Sequence, residues 1–84
     1  MARTPGELIA DNIRAELARQ RRTARQLARA LGVSPATMSR RLSGEHPLTV
    51  DEAYAAARFL GVDVADLAPT PEQVAGVRAL ELAS

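Results

Sequence analysis

The sequence predicts an all-α fold, and three observations carry that prediction. Helix-capping patterns recur along the chain: Thr4-Pro5-Gly6-Glu7, Thr23-Ala24-Arg25-Gln26, Ser34-Pro35, Thr49-Val50-Asp51-Glu52 and Thr70-Pro71-Glu72-Gln73. Each sets a hydroxyl ahead of a first turn whose backbone N–H groups lack partners, and most place Glu or Gln three residues on, where it bonds back. Apolar residues then repeat at intervals of three and four, and no stretch shows the sustained alternation of a strand. Aromatic residues are scarce, with one Tyr, one Phe and no Trp in 84 residues. The core is therefore aliphatic and alanine-lined, which favours closely packed helices.

In chain order, the Thr4 cap opens a helix to about Gln20, with Ile9, Ile13 and Leu17 on one face and Leu8 beside them. The Thr23 box opens a second helix to Leu31, ended by Gly32 in the left-handed conformation. Ser34 and Pro35 start a third, over 35–43, ended by Gly44. The Thr49 box opens a fourth, with Ala53, Ala56, Ala57 and Leu60 facing inward and Gly61 as its stop. Asp63 caps a short turn that ends near Leu67. Pro69 breaks the chain, and the Thr70 box opens a last helix through Val74, Val77 and Leu80. The expected organisation is one domain over 1–69 and an amphipathic helix over 70–84, a candidate dimer contact, with Ala68 to Thr70 as the hinge.

Composition narrows the function. There are no cysteines, so disulfides and thiolate metal sites are excluded. One histidine and no spaced carboxylate pair or glycine-rich phosphate loop argue against an enzyme and against a metal or cofactor. No apolar run reaches signal-peptide or membrane-span length, so a cytoplasmic protein is expected. The net charge of +1 hides a split: residues 1–44 hold nine arginines against three acids, and residues 45–84 hold two arginines against seven acids. The halves carry +6 and −5, which suggests that the first meets a polyanion.

The basic half contains two short helices joined by a tight turn, from Thr23 to Gly44, with Leu27, Ala28, Leu31, Met38 and Leu42 on their inner sides. This is the form of a helix-turn-helix, whose second helix enters a DNA groove. With Met38 and Leu42 defining the buried direction, steps of 100° per residue point Arg40 almost opposite. Ala36, Thr37 and Ser43 flank it, Ser39 lies to one side and Arg41 falls near the boundary. Small residues around one arginine let a helix backbone approach a groove, where the arginine forks onto guanine O6 and N7. Arg21, Arg22, Thr23, Arg25 and Arg29 are expected at backbone phosphates, as are Ser34 at the amino end of the second helix, Ser39 and Ser43. His46 is either a further phosphate contact or an ordinary loop histidine. Each arginine also has a plainer reading as solvated surface.

The Leu27-Ala28, Leu31-Gly32-Val33-Ser34, Thr37-Met38-Ser39-Arg40 and Ser43-Gly44 runs resemble the phage repressor and Cro-like helix-turn-helix regulators, the XRE family. The resemblance covers about residues 8–67, more loosely after Gly44 at Thr49, Glu52, Ala53, Ala57, Leu60, Gly61, Val62 and Leu67. It implies a compact five-helix repressor-like domain without enzymatic activity that binds double-stranded operator DNA, often as a homodimer. It also implies base-reading positions at Ala36, Thr37 and Arg40, and backbone-contact positions around Thr23, Arg25, Ser43 and His46. The chain departs from the family at one point: Arg41 stands where an aliphatic residue is usual and Leu42 where a polar one is, so either Arg40 or Arg41 is the base reader. A transcriptional repressor is the leading expectation. The alternative is a protein-interaction module of the same fold, an antitoxin or adaptor, using the acidic half to bind a protein partner.

Overall fold

The computed structural model describes residues 4–75, which form α1 (Pro5–Arg19), α2 (Ala24–Leu31), α3 (Pro35–Ser43), α4 (Val50–Leu60) and α5 (Val64–Leu67). Residues 71–75 are helical too, and no residue from 4 to 75 is in a strand. Val77 and Leu80 lie outside the described residues.

The first four helices begin as their sequence dictates. Thr4, Thr23, Ser34 and Thr49 hold extended backbone conformations, and their hydroxyls accept from Glu7, Gln26, Thr37 and Glu52 N–H at 3.0–3.1 Å. Gln26 and Glu52 return the bond to the capping residue's own N–H, at 2.8 and 2.9 Å. These two reciprocal boxes satisfy donors that a helix start otherwise leaves unpaired. At the α2 and α3 ends, Gly32 and Gly44 take φ of 71° and 84°, a left-handed turn that glycine adopts without side-chain strain. The Gly44 bend also passes close to α1: a Cβ there would meet Glu7 Cγ at 3.2 Å.

α2 and α3 pack against each other, α1 lies across α3, and α4 packs on α2 and α5. Ile13, Leu17, Leu27, Ala28, Met38, Leu42, Ala56, Ala57, Leu60 and Leu67 form one buried cluster drawn from all five helices. Ile13 and Met38 are fully buried. Ile9, expected on the inner stripe, is half-buried, while its neighbour Ala10 is 1% exposed. The small side chain lets α1 sit close to its neighbours, and the larger Ile9 packs against the edge of the cluster.

Polar bonds fasten the helices to one another. Asn12 on α1 donates to Leu67 O (2.9 Å) and Ala68 O (3.2 Å) at the end of α5. Its amide oxygen accepts from Gln73 Nε2 at 2.9 Å. The start of the last helical segment is thus tied to α1. No helix among the described residues is long and apolar enough to cross a membrane.

Candidate nucleic-acid interface

α3 is held at both ends. Ser34 caps its first turn, and Pro35 supplies a first helical position that needs no N–H partner. At the far end Arg14 of α1 donates to Leu42 O at 2.6 Å while also pairing with Asp11. A cation at a helix C-terminus satisfies an orphan carbonyl and complements the dipole. With Met38 and Leu42 buried, the opposite side of α3 shows Ala36, Ser39 and Arg40 exposed. Thr37 is half-buried, and its Oγ1 accepts from the Ser34 hydroxyl at 2.9 Å. Arg40 has no side-chain partner among the described residues. Its carbonyl accepts from Ser43 Oγ and from His46 N–H, which fixes the loop that follows.

Arg41 is placed differently. Its Nε lies 3.1 and 3.2 Å from the two Glu52 carboxylate oxygens, and its side chain is 26% exposed. Glu52 is the residue that closes the Thr49 capping box, so one carboxylate joins the end of α3 to the start of α4. Burial by itself raises the Glu52 pKa. The Thr49 hydrogen bonds and the Arg41 guanidinium outweigh it and hold the group below the usual glutamate value. The Arg41–Leu42 order thus has a physical account: Leu42 fills the core, and Arg41 replaces an aliphatic anchor with an ion pair. In this structure the Arg41 guanidinium is paired with Glu52, whereas that of Arg40 is not paired.

Arg22 is also engaged within the fold. It donates to Phe59 O at 2.7 Å, and its guanidinium lies 3.6 Å from the centroid of the Phe59 ring. Two steps back, Gln20 Nε2 donates to Leu60 O at 2.8 Å. Both side chains therefore cap the C-terminus of α4, and Arg22 also lines the groove between α1, the start of α2 and α3. Between them Arg21 has φ of 56°, the one non-glycine residue in the left-handed region among the described residues. Arg21, Arg25 and Arg29 are exposed and have no side-chain partner there.

The remaining candidates fall in two places. A shallow groove of about 420 Å³ between α1, the start of α2 and α3 brings Ala24, Ser39 and Ser43 together, next to the Thr23 cap. Backbone N–H groups at the start of α2 and two serine hydroxyls suit a phosphate. His46 lines a separate cleft of about 390 Å³ along the loop that follows α3, with Glu7, Glu45 and Arg41. The two carboxylates there make that cleft the less basic of the two. Reasoning from sequence missed Arg14 and Glu52 as supports of the α3 face, and Gln20 as a cap of α4. Arg14 lies 28 residues from its partner and Gln20 lies 40, so periodicity gives no signal for either.

No curated protein matches the chain. Two solved structures of the clp gene regulator ClgR from Corynebacterium glutamicum are similar to it, each at 28% identity. One has a TM-score of 0.76 and covers 99% of this chain and 85% of that one. The other has a TM-score of 0.72 and covers 77% and 84%. The helix-turn-helix family model HTH_3 matches residues 13–67, which takes in α2, α3, α4 and α5 whole. The chain belongs to that XRE-type helix-turn-helix family, and it is a DNA-binding transcriptional regulator.

Proposed function

We propose that the protein is a sequence-specific transcriptional repressor that inserts α3 into the major groove and acts as a homodimer. The observation that carries this reading is Arg40: an exposed guanidinium without a partner, on a helix fastened at both ends, flanked by Ala36 and Thr37. A free, well-oriented arginine is suited to a bidentate contact with guanine. Ala36 and the Thr37 methyl are sized for a thymine methyl. Arg21, Thr23, Arg25, Arg29, Ser34, Ser39 and Ser43 contact phosphates along the start of α2 and the groove beside it, and His46 contacts one at the loop after α3. Arg22 and Arg41 support the fold and touch neither bases nor phosphates. Two copies place their α3 helices in successive major grooves, about 34 Å apart.

Selection of bound duplexes from a random pool tests the reading. A palindromic consensus with half-sites one helical turn apart is the expected result. Recovery of no enriched sequence, with affinity equal for all duplexes, overturns it. Repression is tested separately by placing the selected site across a promoter and measuring transcript with and without the protein, where a fall is expected.

A further inference from the structure

The outer face of α4 carries features that DNA binding leaves unused. Val50 and Tyr54 stand one turn apart and are 71% and 59% exposed, more than any other large apolar residue described. Arg58 continues their row, and Asp51 and Ala55 form the adjacent row. Neither the Asp51 nor the Arg58 side chain has a hydrogen bond or ion pair within the described residues, whereas the Glu52 side chain on the same helix is fully engaged. A contiguous apolar patch with a polar rim is the form of an interaction surface.

The geometry points to this face as the contact between two copies of the chain, laid antiparallel along α4. Asp51 lies in the first turn and Arg58 in the last. Seven residues separate them, or about 10 Å along the axis at 1.5 Å per residue. Their midpoint falls between Tyr54 and Ala55. A two-fold axis there sets Asp51 of each copy against Arg58 of the other, so the face is its own complement, as an isologous interface requires. Ala55 at the crossing lets the helix axes approach, and Tyr54 and Val50 cover apolar surface on the opposite copy. A duplex does not fit as the occupant, because Asp51 would face phosphate. Two faces from a helix this short bury less than the roughly 1,200–2,000 Å² of a standard interface, so association is weak and depends on concentration.

This inference rests on the proposal that the protein works as a pair. The test is sedimentation of the full chain over a concentration series, for wild type, Asp51→Arg, Arg58→Asp and the double exchange. Wild type associates. Each single exchange places like charges opposite one another and weakens association at least about tenfold. The double exchange restores it. A wild type that stays monomeric at every concentration overturns the inference. So does association unchanged by the single exchanges, or a double exchange that fails to rescue. Circular dichroism melts confirm that the variants fold, which exposure of both positions leads one to expect. Binding to the selected duplex is measured in parallel: its loss in wild type counts against the DNA reading and leaves the surface to be decided by sedimentation alone.

Discussion

Replacing Arg21 with glycine is expected to stabilise the protein and weaken DNA binding together. Arg21 is held at φ of 56° because the residues on either side are fixed: Gln20 to Leu60 O at 2.8 Å and Arg22 to Phe59 O at 2.7 Å. A side chain in the left-handed region costs about 1–2 kcal/mol. Glycine removes that cost but loses about 0.4–1 kcal/mol through the wider freedom of its unfolded chain. The net gain is about 0.8 kcal/mol at the middle of these ranges, with limits of about 0 and 1.6 kcal/mol; the middle value is about 3–6 °C in melting temperature for a domain of this size. The same change deletes an exposed cation beside the start of α2. Binding weakens, and the slope of log affinity against log salt falls by about one. Arg21→Ala separates the two effects, because alanine keeps the backbone strain and loses the charge. It binds as poorly as the glycine variant without its thermal gain. Equal melting temperatures for the glycine and alanine variants refute the strain argument. Wild-type binding by the alanine variant refutes the contact.

Other changes probe the reading surface and its supports. Arg40→Ala costs about 1–3 kcal/mol at one base position and relaxes preference there, read by repeating the pool selection with the variant. Arg25→Ala weakens all duplexes alike; with Arg21, Arg25 and Arg29 assigned to phosphates and without side-chain partners, the wild-type salt slope is about −3 per bound copy. Glu52→Gln tests the ion pair by its pH dependence. The folded pKa of Glu52 is depressed, so its contribution, up to about 1 kcal/mol for a pair this exposed, is full above the unfolded value near 4.3. It is lost as pH falls through the lower folded value, so the stability gap between wild type and variant, from urea titrations, is constant near neutrality and closes in acid. Met38→Ala empties a site with 0% exposure and costs about 2–5 kcal/mol, measured by the same titrations.

The helices were legible because their signals are local. Thr4, Thr23, Ser34 and Thr49 each lie three residues from the N–H they cap, and Gly32, Gly44 and Gly61 each take the left-handed turn. The inward residues followed from the 3.6-residue period, as Met38, Leu42, Ala53 and Leu60 show. What sequence could not display is which arginines are already spoken for. Arg22 reaches Phe59 across 37 residues and Arg41 reaches Glu52 across 11, and no periodic rule links positions so far apart. Arg21 escaped for the opposite reason. Its local signal was misleading, since glycine is the usual residue at a left-handed helix end and arginine gave no sign of one. The Asn12–Gln73 amide pair, separated by 61 residues, is equally invisible.

The two consecutive arginine pairs show how the basic half divides its charge. In Arg21–Arg22 and in Arg40–Arg41 the second member is drawn into the fold, at Phe59 and at Glu52, while the first is exposed and without a partner. Arg14 and Arg19 are also engaged, with Asp11 and Leu42 O and with Glu16. The +6 of residues 1–44 therefore overstates the cations available to a partner. The engaged arginines still bear on DNA reading, because a bidentate contact depends on the angle at which the guanidinium arrives. Arg14 fixes the C-terminus of α3 against α1, and Arg41 fixes it against α4. Two fastenings in different directions restrict rotation of α3 about its axis and tilt of its end. Arg40 lies within that fastened turn. In our proposal its selectivity thus depends on arginines that never touch the duplex.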